Sequence, residues 1–276
     1  MPLRHNKGLD IWDMSTMTDS ERERIIYEHP LNERVRTLLR LEFLFEHGWF
    51  GVRGETEWHS RIAVATLVDI VALLSRGDLR SDIQKELEQL VGSLEALEKR
   101  PGVDPSLLAP VLDECRDLAE RLRAAPPGIP SIVRDNEFLA AVAQRSGIMG
   151  GTCAFDLPAY HLWLNHSPEQ RREDLESWYA GFSILHEATA RILALLRESA
   201  DPVHETAQKG NYQTSLERGS PYQLLRVSVP ATAPYFPEIS GSKHFCTIRF
   251  LRQGSATERP QPIDEDVEFI LERCAI

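Results

Sequence analysis

The rhythm of hydrophobic positions changes near residue 200. Before that point apolar residues recur at helical intervals; after it they alternate with polar ones. Ile25-Ile26-Tyr27-Glu28 predicts a short strand that His29-Pro30 breaks. Asn32 or a neighbour then opens a helix carrying Val35, Leu38, Leu39 and Glu42 at helical spacing. A second helix is predicted from about Glu57 to Ser75, stopping at Arg76-Gly77. Beyond it Ile83, Leu87, Leu90, Leu94 and Leu97 step by four and three, a coiled-coil seam. After Pro101-Gly102 a second seam follows at Leu108, Val111, Cys115, Leu118 and Leu122. Two such helices joined by a Pro-Gly turn make an antiparallel hairpin with Cys115 in its core. Pattern alone leaves that hairpin equally free to project and dimerise or to pack within a bundle.

The Pro-rich stretch 124–130 ends the hairpin, a helix is predicted from about Arg134 to Arg145, and one long helix from Glu169 to Ser199. In the latter Trp178, Phe182, Leu185, Ile192 and Leu196 are available to face a core. Strands are predicted at Leu224–Val229, Phe245–Phe250 and Val267–Glu272, with Gly, Pro and Ser marking the turns. The fold class is α+β: a mainly helical N-terminal domain with the hairpin, plus a smaller antiparallel β domain. The division places a disordered extension at 1–23, the helical domain at 24–200 and the β domain at 201–276. Pairing of residues 24–29 with the β domain is left open. The extension is polar and without periodicity, and Met1, Met14 and Met17 are all candidate native starts.

Composition acts by exclusion. A net charge of -11 disfavours duplex nucleic acid and anionic membrane as partners. The N-terminus has no apolar signal core, and the longest apolar run, 62–74, is too short to span a membrane and contains Asp69. No membrane insertion is expected. The four cysteines form no CxxC, so neither a zinc site nor a disulfide framework is indicated and the cytoplasm is the expected location. An acidic partner would need local basic patches. Arg36 and Arg40 stand four apart on one helical face, and Arg76, Arg80, Arg134 and Arg145 supply further cations. Arg226 and Arg249 lie opposite the apolar sets of their strands, and would form an outward basic stripe if those strands were neighbours.

Candidate chemistry concentrates in Gly150-Gly-Thr-Cys-Ala-Phe-Asp-Leu-Pro-Ala-Tyr-His-Leu-Trp163. Cys153 and His161 could make a cysteine hydrolase, but a nucleophile's base normally comes from elsewhere in the chain. A structural role, with Asp156 capping a helix that starts near Pro158, accounts for the glycines, the aspartate and the proline together. His186-Glu187-Ala188-Thr189-Ala190 begins like a zinc-protease helix, but Ala190 stands where the second histidine is required, and Glu187 reads as solvated. Phosphate-cradling glycine motifs are absent.

Tyr27-Glu-His-Pro-Leu-Asn-Glu-Arg-Val-Arg-Thr-Leu-Leu-Arg-Leu-Glu-Phe-Leu44, the 150–163 stretch and Ile239-Ser-Gly-Ser-Lys-His-Phe-Cys-Thr-Ile-Arg-Phe250 resemble segments of the ZapD family, Z-ring-associated bacterial cell-division proteins. The resemblance runs from about residue 25 to 250. It implies a two-lobed homodimer that binds the C-terminal tail of FtsZ, the tubulin-like division GTPase, and bundles its filaments at mid-cell. It implies no enzymatic activity and no cofactor. Arg40 in "LRLEF" and His161 in "AYHLW" fall on family positions that contact FtsZ, and Arg36 shares the face of Arg40. A further basic family position is occupied here by Glu137, with Arg134 and Arg145 nearby. The alternatives are a cysteine hydrolase, or an adaptor whose hairpin takes another helix.

Overall fold

The computed structural model describes residues 23–216, 222–242 and 244–276; the predicted extension lies almost wholly outside them. The chain forms two compact units. One comprises residues 32–199 and is helical. The other joins the segment up to Leu31 with residues 200–275 and is built of strands.

In the helical unit Asn32 caps α1 (Glu33–Arg53), its side-chain oxygen accepting from the Val35 amide at 2.8 Å. Thr56 caps α2 (Glu57–Leu74). The two helices can approach closely because Gly51 has no side chain: a Cβ there would lie 2.6 Å from the Ala63 nitrogen. Gly48 similarly makes room for the Tyr179 ring, whose hydroxyl donates to the Ala63 carbonyl at 2.8 Å. The predicted hairpin is α3 (Leu79–Glu98) and α4 (Pro105–Ala124). Its seam residues Ile83, Leu87, Leu90, Cys115, Leu118 and Leu122 are buried. The hairpin packs within the bundle against α9 (Ser183–Glu198), tied by Arg121–Glu187 and Arg191–Glu114 pairs, both 2.8 Å. Glu187 is therefore ion-paired and mostly buried, not solvated.

Two predicted helices differ in the structure, one in its start and one by a break. A separate short α5 (Ser131–Arg134) comes first, and the helix predicted from about Arg134 is α6 (Glu137–Ser146), which starts later because Asn136 leaves the helix to cap it. After α7 (Pro158–Leu164), the stretch from Glu169 to Ser199 becomes α8 (Pro168–Ala180) and α9, broken at Gly181-Phe182. Pro130 presses against Gly181 there, closely enough that a Cβ would lie 2.8 Å from its own. The buried Glu42–Arg197 pair joins α1 to α9 through two bonds of 2.6 and 2.7 Å. His186 packs against Phe45 with ring centres 4.7 Å apart, and burial lowers its pKa, with Glu187 opposing.

In the other unit the first sheet runs β1 (Arg24–Pro30), β4 (Tyr222–Pro230), β8 (Val267–Ala275), β2 (Val203–Ala207). The second runs β3 (Asn211–Ser215), β6 (Phe245–Arg252), β5 (Tyr235–Ser242), with β7 (Gln261–Pro262) also on β6. Every pairing is antiparallel. Leu225, Val227, Phe269 and Leu271 of one sheet and Cys246, Ile248 and Phe250 of the other share one core, giving a packed pair of sheets and an α+β chain. His29-Pro30 does not break β1. The strand lies at a sheet edge, where a proline without an amide hydrogen is tolerated, and it runs through Pro30 opposite Leu224.

The predicted basic stripe does not form. Arg226 lies on β4 and Arg249 on β6, in different sheets. Arg226 stands directly opposite Glu28 on β1 and Glu272 on β8, and bonds both at 3.1 and 3.0 Å. Its side chain is only 16% exposed, so its charge is consumed inside the sheet.

Candidate partner-binding site

The inward face of α1 buries Val35, Leu38, Leu41 and Phe45. Its outward face presents Arg36 and Arg40, with side chains 44% and 60% exposed. Both reach a single carboxylate, Glu33, at 3.4 and 3.7 Å, so two guanidinium groups share one counter-charge. Farther along the helix Phe43 and Phe50 are 62% and 54% exposed. Their ring neighbours are His47 and His59, at 5.7 and 5.3 Å.

His161 lies on the short helix α7 and is exposed, as is Leu162. The segment before it is a chain of turns: Gly150, at φ 72, offers its carbonyl to the Cys153 amide, and the Cys153 carbonyl takes the amides of Asp156 and Leu157. The residue at the α7 cap is Leu157, without a side-chain bond, and not Asp156 as the sequence suggests. Asp156 instead accepts from the Cys153 thiol at 3.4 Å and meets Arg145, from the last turn of α6, at 3.6 Å. No hydrogen bond joins Cys153 to His161 among the described residues, so the nucleophile and base of the hydrolase reading are not assembled.

Two arginines hold α7 in place. Arg61 of α2 donates to the Thr152 carbonyl at 3.2 Å and sits over the Trp58 and Tyr160 rings at 5.5 and 5.2 Å. Burial pushes the Tyr160 hydroxyl up to about 12, with Arg61 opposing. Arg171 is buried and has no carboxylate partner among the described residues. It donates to the Ser60 hydroxyl at 2.9 Å, to the Leu164 carbonyl at 2.8 Å, and to the carbonyls of Glu55 and His166.

Arg134 is bound bidentately to Asp135 at 2.8 and 2.9 Å. It lines an apolar groove of about 200 Å³ between α2, α5 and α6, with Leu67, Val71, Val133 and Leu139 in its walls. Glu137, in the first turn of α6, complements the positive end of that helix. Thus Arg36 and Arg40 share one face, Arg145 reaches the segment that leads to His161, and Arg134 borders a groove. No ion pair links these three groups among the described residues. The sequence reading did not single out Phe43 or Phe50, although both continue the four-three spacing that Arg36 and Arg40 begin.

The groups this region offers to solvent are exposed cations on a helical scaffold. Comparison with known proteins assigns the process: residues 39–249 match the family model described as a cell division protein, ZapD. The chain is 45% identical to the cell division protein ZapD of Methylococcus capsulatus (strain Bath) over 255 residues, 92% of this chain and 100% of the relative. It is 40% identical to that of Ralstonia pickettii and 37% to that of Janthinobacterium sp., each over 251 residues, 91% of this chain and 99% of the relative. The chain belongs to the ZapD family.

Proposed function

We propose that this chain is a homodimeric crosslinker of FtsZ filaments in the cytoplasm, at the division site. Each protomer binds the C-terminal tail of an FtsZ subunit, and the pair bundles filaments and stabilises the Z-ring. The protein works without catalysis and without a cofactor. The observation that carries the reading is the exposure of Arg40 and His161, with Arg36 beside Arg40, in a chain of the ZapD family. Arg134 and Arg145 stand as auxiliary contacts, each already engaged by an aspartate.

A protein of net charge -11 meets an acidic filament through local arginines, so bundling weakens as salt screens them. Two weak sites on a dimer gain from avidity, which makes bundling steeper in concentration than single-tail binding. Six seam residues of the hairpin are buried within the chain, while Leu97 near its turn stays exposed.

The test is co-sedimentation with polymerised FtsZ, full length beside a tail-less version. Pelleting with full-length filaments only is expected, and Cys153→Ala leaves it unchanged. Pelleting with neither filament, or equally with both, overturns the tail-crosslinking reading.

A further inference from the structure

We infer that the outward face of α1 is a docking strip for an acidic segment bearing two apolar side chains, with Phe43 and Phe50 as its aromatic anchors. The inference rests on the tail-binding reading above and adds anchors to it.

Arg36, Arg40, Phe43, His47 and Phe50 advance by four, three, four and three residues, which keeps all five on one stripe of a 21-residue helix. All five are exposed, while the opposite face of the helix is buried. A soluble helix has no packing reason to present two phenylalanines seven residues apart to water. Placed in line with two arginines, they match the composition of interface hot spots, which are rich in aromatic residues and arginine.

Charge identifies the occupant. Among the described residues Arg36 and Arg40 share Glu33 alone, which leaves the N-terminal end of the stripe positive within an acidic protein. The strip is also polar in direction, with cations first and rings after, and the two rings lie about 10 Å apart along the axis. The segment that fits carries carboxylates at one end and two apolar side chains about that far apart beyond them.

The experiment titrates a fluorescently labelled synthetic peptide of the FtsZ tail with the full chain at several salt concentrations. Three variants are compared: Phe43→Ser/Phe50→Ser, Phe43→Leu/Phe50→Leu and Arg36→Gln/Arg40→Gln. The serine pair is expected to weaken binding by about tenfold or more with the salt slope retained. The leucine pair regains part of that loss. The glutamine pair flattens the salt slope. Wild-type binding matched within about twofold by the serine pair, on the tenfold scale expected of an anchor, overturns the inference and leaves the tail reading intact. No wild-type binding overturns both. A fall in molecular mass of the serine pair by sedimentation equilibrium makes the strip a contact between copies of this chain, which also overturns the inference.

Discussion

Arginines meet two opposite fates in this chain. On α1, Arg36 and Arg40 divide one carboxylate between them at the surface. On β4, Arg226 is flanked by two carboxylates and largely withdrawn from solvent. All three stand in amphipathic stretches, and all three look alike as letters. The difference lies in what the neighbouring element brings. A charge matched on both sides is spent on cohesion, whereas one left in excess is available to a partner.

Breaking the inner arginines should cost the most. Arg171→Met leaves the carbonyls of Glu55, Leu164 and His166 and the Ser60 hydroxyl without their donor. It is expected to destabilise the helical unit by about 3–4 kcal/mol, measured by chemical denaturation. Arg226→Met removes the guanidinium between Glu28 and Glu272, for an expected loss of about 2–3 kcal/mol by the same measurement. A change below about 1 kcal/mol in either would mean that the inner arginines are as dispensable as surface pairs.

His186 sharpens the contrast on the pH axis. Burial holds its pKa below 6.5, so the unfolded chain takes up its proton first as pH falls. The stability it lends is complete above about pH 6.5 and is lost progressively below it. His186→Phe, which keeps a ring against Phe45, should flatten the stability profile between pH 7 and 5. The smallest effect on folding belongs to Arg40→Gln, within about 0.5 kcal/mol of wild type. On the proposed function, that same variant weakens co-sedimentation with FtsZ and makes it less sensitive to salt.

The helical half was legible because its signals are local. Asn32, the four-three seams and the Pro-Gly turn act within a few residues, and α1 to α4 follow them. The division of the helix predicted over 169–199 was not legible, since the break at Gly181 follows the approach of Pro130, far away in sequence. The strands β2, β3 and β5 were missed for a related reason. Segments such as Asn211–Ser215 are polar and mostly exposed, and become strands by pairing with β6. The outward charge of Arg36 and Arg40 could be read from spacing alone. The fate of Arg226 could not, because Glu28 is brought to it by a pairing across 198 residues.

That long-range pairing also sets an order in time. β1 is made first, yet its partner β4 follows about 200 residues later, after the whole helical stretch. At roughly 5–20 residues per second, a translating ribosome needs on the order of 10–40 seconds to supply it. The helical unit closes meanwhile on contacts of its own, and the sheet holding Arg24–Pro30 is completed only after β8 has been made. The first of the described strands is thus among the last to find its place.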